Sequence, residues 1–449
     1  MSQPFHLPKL AALLAAGVSS SVLASSYQLD VYAPPNNAPI TGLSNQGAWG
    51  VTSRSSGEYI LDGSNQSAQT LPGANALRLG YGNTLSLSGD GRYISGGSTV
   101  PGATAACTSG NKICNVSQAA LYDRHTGSWT TLGNLGGTTT LSVNGQQTVE
   151  LSQAWGISAS GNAVVGQSWA TVNGVSRLHP FVYRNGQMVD LAPTVAGNGR
   201  AISVSGDGSV VSGYKSSSAV GTIWKWNGSS YAETVAPTAH NPKSNALVAV
   251  AADKLSENGI WAAGSSVNAM AVQYGSFPGD VVYFPTTLWN TQTNTAIVIP
   301  YDHVIDPTPG SLDPVRNVKG TVVGVSNSGV VIGMYNGPVT GATVGTLSQD
   351  TWIYNAYGDG ATMSFDSYLA SMGQPLTATQ HVWQLNAMSA DGSAISGMYY
   401  DTATGVSSAF VLHPTLAVPE PATWAQLGLG LLAVGGLLRK RALASKELA

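Results

Sequence analysis

Charge is scarce in this chain: Asp, Glu, Lys and Arg make up 9% of its 449 residues, where a soluble domain usually carries about a quarter. A fold held together by surface ion-pair networks is thereby excluded. Five of the 19 basic and two of the 22 acidic residues fall in the first 24 and the last 31 positions, which leaves the long middle net negative. That balance excludes a nucleic-acid-binding domain, which needs clustered Lys and Arg. Cysteine is nearly missing, with only Cys107 and Cys114. Two cysteines make no disulfide framework, and they fall short of the four Cys or His ligands of a structural zinc site. The seven histidines are scattered. No G-x-S-x-G elbow, H-E-x-x-H, P-loop or dinucleotide fingerprint occurs, which removes the enzyme classes those motifs define and leaves no cofactor to expect. Nor does any stretch show the dense alternating Asp of a calcium loop.

Glycine is what the chain has instead, 54 residues of it, and it is not randomly placed. One phrase recurs seven times: Leu43 to Gly47, Leu87 to Gly91, Ile157 to Gly161, Val204 to Gly208, Leu255 to Gly259, Val325 to Gly329 and Met388 to Gly392. Each copy reads apolar residue, Ser, any residue, usually a small polar residue, Gly. In five copies a second glycine follows five positions on: Gly96, Gly166, Gly213, Gly264 and Gly397. The sixth copy shortens that gap to Gly333, and the first departs from it with Gly50. Asp90, Asp207 and Asp391 sit inside the phrase next to Gly, where Asp-Gly tolerates the left-handed backbone of a tight turn.

Successive phrases lie 44 to 70 residues apart, a unit near 45 with insertions. Within the clearest unit, the phrase leads through Ser160-Gly161 into NAVVGQ, then PFVYR, the turn dipeptide Asn185-Gly186, and QMVDL. Asn-Gly between β-prone segments is a strong hairpin signal, so the unit reads as four antiparallel strands. Six or seven four-stranded units of this length predict an all-β chain folded as a single β-propeller across residues 25–417. Trp224, Trp289, Trp352 and Phe410 fall on the expected third strands, where they pack blade against blade. The last unit lacks a strand, and Tyr27–Tyr32 (YQLDVY) is the donor expected to close the ring. The phrase Ile157–Gly166 with His179-Pro180-Phe181 resembles the HAF-type extracellular repeats of exported bacterial proteins.

The two ends have a different character. Residues 1–24 form a short apolar segment ending on small residues at Val22 and Ala24, the pattern of a signal peptide cut by signal peptidase after Ala24. At the other end Ala422–Leu438 are 17 uncharged residues followed by Arg439, Lys440 and Arg441. That is the length of a short single transmembrane helix, with a basic cluster that stays cytoplasmic. Val418, Pro419, Glu420 and Pro421 precede it. Motif, span and basic tail in this order, over residues 418–449, resemble the PEP-CTERM sorting signal of Gram-negative bacteria. The resemblance implies an exosortase-type processing enzyme as partner, membrane contact through the C-terminal helix, and a body placed in the periplasm, on the outer surface or in the extracellular matrix.

In that setting Cys107 and Cys114, in a polar insertion, form a surface disulfide; free thiols or part of a metal site are the other readings. Insertions across residues 97–150 and 266–320 are the functional lead, since propeller loops crowd one face and carry binding. The second insertion holds Tyr283, Phe284, Tyr301, Asp302, His303, Asp306 and Asp313, aromatics and carboxylates suited to a sugar. The expected function is a non-enzymatic binding or scaffold module associated with exopolysaccharide or biofilm. The alternative is a propeller-type glycan hydrolase or lyase, which requires carboxylates converging on one face.

Overall fold

A computed structural model describes residues 27–32, 38–54, 57–64, 66–71, 85–106, 113–137, 139–143, 146–194, 197–215, 220–240, 247–266, 270–273, 280–300, 317–337, 348–358 and 360–415. Contacts divide the chain into Gln28–His413, which holds the blades, and a second unit of Met1–Tyr27 with Pro414–Ala449. The expected signal segment, the Val418–Pro421 motif, the apolar span and Arg439–Arg441 lie outside the described residues. No helix among the described residues is long and apolar enough to cross a membrane.

The fold is a seven-bladed β-propeller, at the upper of the two blade numbers that the repeats suggest. Blades 1 to 4 have their innermost strands at Ile40–Leu43, Ser86–Leu87, Ser152–Ile157 and Arg200–Val204. Those of blades 5 to 7 are Lys254–Leu255, Asn317–Val325 and Gln380–Met388. Every blade carries four antiparallel strands in meander order. The last is closed from the other end of the chain: Tyr27–Tyr32 lies against Val406–Pro414 as its outermost strand, as expected from the missing strand. The first phrase, irregular in sequence, nevertheless opens a complete blade.

Each phrase is the turn between the first and second strands. All seven of its glycines have positive φ, from 70° at Gly47 to 77° at Gly208, the left-handed backbone that glycine adopts without a Cβ clash. The phrase serines are all buried, and each satisfies the chain locally. Ser205 Oγ accepts the Val210 N–H at 2.9 Å and donates to Asp207 Oδ1 at 2.7 Å. Ser389 repeats this with Ala394 N–H and Asp391. The aspartates of the phrase are thus absorbed by the turn. Turns are also tied to their neighbours: Asn45 N–H donates to Gly89 O, Gly89 N–H to Ala159 O, Ser160 N–H to Gly206 O and Gly206 N–H to Glu257 O, at 2.7–3.0 Å.

The second glycine has a different reason. Across the sheet, Gly166 pairs with Phe181, Gly333 with Trp352 and Gly397 with Phe410. A Cβ at Gly333 would come within 2.3 Å of the Trp352 ring, and one at Gly397 within 2.6 Å of Phe410. Glycine here makes room for the third-strand aromatic to lie flat in the blade. Trp224, Trp289, Trp352 and Phe410 are at most 1% exposed, each removing a large apolar area from water. The one α-helix among the described residues, Phe365–Ser371, is capped by Ser364 and buries Phe365 and Leu369. At Asn185-Gly186 both residues have positive φ, the hairpin turn expected there.

Cys114 is disulfide-bonded; Cys107, the other cysteine of the chain, lies outside the described residues. Cys114 does not sit in a polar surface loop. It is on the strand Ile113–Asp123, 3% exposed, packed with Val116 and Val149. The reason is an added strand: a hairpin of Thr139–Val143 and Gln146–Glu150 pairs its second strand parallel along the edge of Ile113–Asp123, and Val149 packs with Cys114 and Val116.

Candidate binding channel

The innermost strands of all seven blades surround a central channel of about 430 Å³. Because strands alternate in direction, the first-to-second and third-to-fourth connections fall on one face. Second-to-third connections and crossings to the next blade fall on the other. The first kind are short turns. The second kind hold the long hairpin Tyr93–Ala106 with Ile113–Asp123, the hairpin of Gln146–Glu150, the pair Met270–Gln273 with Asp280–Phe284, the pair Thr238–His240 with Leu247–Ala249, and the helix. One face is therefore built of repeated turns and the other of insertions.

Channel geometry is set by a repeated irregularity. In blades 1, 3, 4, 6 and 7 the pairing of the first two strands shifts by one residue, around Thr41, Trp155, Ile202, Val323 and Asn386. A bulge of this kind re-aims one side chain, and all five residues line the channel. In blade 5 Asp253 stands at the equivalent place, three before the phrase serine.

Toward the insertion-bearing face a connected polar chain runs behind the channel wall and reaches the lining at Arg200. Glu150 ends its insertion strand and is 2% exposed. Gln153 Nε2 donates to Glu150 Oε2 at 2.6 Å, Gln167 Nε2 to Gln153 Oε1 at 2.9 Å, and Arg200 Nε to Gln167 Oε1 at 2.9 Å. The Arg200 guanidinium lies over the Trp155 ring at 3.7 Å, a cation–π contact strengthened by desolvation. Burial pushes the Glu150 carboxyl up to about 7, against the hydrogen bonds from Gln153 and Trp169 that favour its charge. Burial likewise lowers the Arg200 pKa, with Tyr214, Asp253 and Glu150 opposing it. Lys254, half-buried in the wall, is lowered by the same cause, with Asp253 opposing.

This chain of residues offers mostly donors to the channel. Arg200 makes no hydrogen bond among the described residues beyond Nε to Gln167, and Lys254 makes none. Trp155 Nε1 is buried without an acceptor. Among the acceptors, Asp253 Oδ2 receives the Ser265 N–H at 3.0 Å and the carboxylate favours the charge of both Arg200 and Lys254, and the Gln153 and Gln167 carbonyls are used within the chain. Such a wall suits a ligand rich in oxygen acceptors.

Of the residues expected from sequence to bind a ligand, Tyr301, Asp302 and His303 lie outside the described residues. Tyr283 falls on the strand Asp280–Phe284, which runs parallel to the inner strand of blade 6, with Tyr283 opposite Val318. Two of the scattered histidines join blade strands: His179 Nδ1 meets Asp190 Oδ2 at 2.8 Å, and His413 Nε2 meets Asp30 Oδ2 at 3.0 Å. The sequence reading passed over Trp155, Arg200 and Lys254. One signal was available for Lys254. Two residues before the phrase serine the other blades have Gly42, Ser86, Gly156, Ser203, Gly324 and Ala387, and Lys254 alone is long and charged.

No family model and no curated protein sequence matches the chain. Among solved structures it is similar to the β-propeller domain of the Trilobed protease from Pyrococcus furiosus, at 10% identity over 84% of this chain and 79% of that one, TM-score 0.32. It is also similar to an oligogalacturonate lyase from Vibrio parahaemolyticus, at 9% identity over 88% and 98%, TM-score 0.40. A third likeness is to an acylaminoacyl peptidase from Pyrococcus horikoshii, at 11% identity over 81% of this chain and 50% of that one, TM-score 0.40. Likenesses this distant carry no activity across.

Proposed function

We propose that this protein is an exported, non-enzymatic binding module of a Gram-negative cell envelope or extracellular matrix, holding an exopolysaccharide or similar matrix component at the insertion-bearing mouth of its channel. One observation carries the reading: the long connections and the donor-rich wall of Arg200, Lys254 and Trp155 lie toward the same face, while the opposite face is spent on seven repeated turns. Export rests on the sequence alone, through the signal-like residues 1–24 and a C-terminal segment resembling a PEP-CTERM sorting signal, with a membrane helix and an exosortase-type partner. A disulfide-bonded Cys114 is consistent with an oxidising compartment. The test is incubation of the purified protein with a panel of polysaccharides. Retention of a polysaccharide with no release of reducing ends or unsaturated products is expected, and such release would instead identify a glycan hydrolase or lyase.

A further inference from the structure

A hydrogen bond carried through an amide has a direction, and the polar chain that ends at Arg200 has a single one. Gln153 and Gln167 stand opposite each other where the first two strands of blade 3 pair. Gln153 Nε2 donates to Glu150 Oε2, Gln167 Nε2 to Gln153 Oε1 and Arg200 Nε to Gln167 Oε1, at 2.6–2.9 Å. Every amide therefore gives toward Glu150 and accepts from the Arg200 side. Glu150, Gln153 and Gln167 are each at most 5% exposed, so a donor turned against a donor there loses its bond without recourse to water. The order holds while Oε2 of Glu150 accepts. That oxygen is also the one a proton must take: Oε1 receives the Trp169 Nε1–H at 3.4 Å, an indole N–H only donates, and Oε1 thus stays an acceptor in either state. A proton on Oε2 meets the Gln153 amino group and is accommodated when that amide turns, bringing Gln153 Oε1 to the new hydroxyl. Gln153 Nε2 then faces Gln167, whose amide turns in the same sense. Gln167 Nε2 is left against Arg200 Nε, and two donors make no bond.

We infer that Glu150, Gln153, Gln167 and Arg200 form a hydrogen-bond relay whose direction is set by the Glu150 proton, so that taking up a proton behind the wall unseats the Arg200 guanidinium at the channel. Burial holds the Glu150 carboxyl at about 7, against the hydrogen bonds from Gln153 and Trp169 and the charge of Arg200. The change therefore falls near neutral pH. Arg200 is the charged group that acts on Glu150, and the residues paired with Glu150 on the two neighbouring strands, Ser117 and Thr139, do not titrate. At the far end Tyr214, Asp253 and Glu150 favour the Arg200 charge, and the Trp155 ring lies 3.7 Å from it. The guanidinium thus stays charged and against the indole when Gln167 lets go. What changes is its freedom to turn, in a residue that lines the channel. The device operates whatever the channel holds, so it stands or falls apart from the polysaccharide reading.

The test is NMR of the full-length protein carrying isotope-labelled arginine, with Arg200→Lys identifying the Arg200 Nε–H signal, which is then followed across neutral pH. In the parent the signal is expected at a hydrogen-bonded position above pH 7 and at a free position below it, with one midpoint near 7. Glu150→Gln places an amino group where Oε2 stood, because Trp169 still requires the carbonyl, and should hold the signal at the free position at every pH. Gln167→Met removes the last amide and should do the same, and it tests the relay even where Glu150→Gln does not fold. At pH 8 the Arg200 Nε–H of either variant should exchange with water about tenfold faster than the parent's, the loss of one hydrogen bond from a charged group. A pH-independent Arg200 signal in the folded parent would overturn the inference. So would a titration near 7 that survived in a folded Glu150→Gln or Gln167→Met protein, since another group would then be moving Arg200.

Discussion

The two faces of the propeller are built under opposite rules. On the turn face a five-residue phrase appears seven times with one backbone conformation, one buried serine and, at four of the junctions, backbone hydrogen bonds to the next turn. On the other face the described connections vary: short hairpins, a long hairpin, a parallel added strand, a helix. A repeated sequence therefore tells which face holds the ring together. It does not tell which residues on the free face have been put to use. The most informative positions are those where an inner strand obeys the repeat in every blade but one, as at Lys254.

The comparison can be broken most severely on the turn face. Gly392 has φ of 76°, and a Cβ there would sit 2.5 Å from Ser326 Cβ in the neighbouring blade. Gly392→Val should cost about 3 kcal/mol or more, from backbone strain and overpacking together. Denaturant unfolding should show it as a lowered midpoint. A smaller change of opposite sign is expected at Glu150, on the insertion side. Its carboxyl, ordinarily near 4.5, is held at about 7 by burial, so the folded chain keeps a proton that the unfolded chain releases. Stability from this group is greatest below pH 4.5 and declines as pH rises toward 7. Glu150→Gln, which never ionises, should match the parent near pH 4 and exceed it by about 1–3 kcal/mol at pH 8. Thermal melts at the two pH values read the difference directly. The smallest effect belongs to the outer edge of an insertion. Ile113 is 77% exposed, and Ile113→Ser should alter stability by no more than about 0.5 kcal/mol.

Most of the ring was legible because its constraints are local. A positive φ calls for glycine, a buried turn calls for a small hydroxyl, and a flat third-strand aromatic calls for a glycine opposite it. Each leaves a mark at fixed spacing. Even the closing strand, Tyr27–Tyr32, could be read from a missing partner in the last blade. The first blade was harder, since Gly50 follows its phrase by three residues where Gly166 follows by five, yet Ile40–Leu43 pairs with Trp49–Arg54 through the same bulge as the others. The channel was not legible from motifs. Trp155, Gln167 and Arg200 come from two blades, and Glu150 comes from an inserted hairpin, so their meeting depends on packing between units and leaves no spacing to find. The burial of Cys114 was hidden for the same reason: the strand that pairs beside it begins more than 30 residues later.

The closing strand also sets the order of events in time. Asp30 meets His413, and Ile40 meets Ser396, across sequence separations of 383 and 356 residues. Contacts so remote are slow to form, and an open sheet edge waits exposed until they do. A chain that emerges N-terminus first therefore holds Tyr27–Tyr32 without this partner until Val406–Pro414 has arrived. Closure is a late kinetic event, and it reports that the chain has been delivered through its last blade.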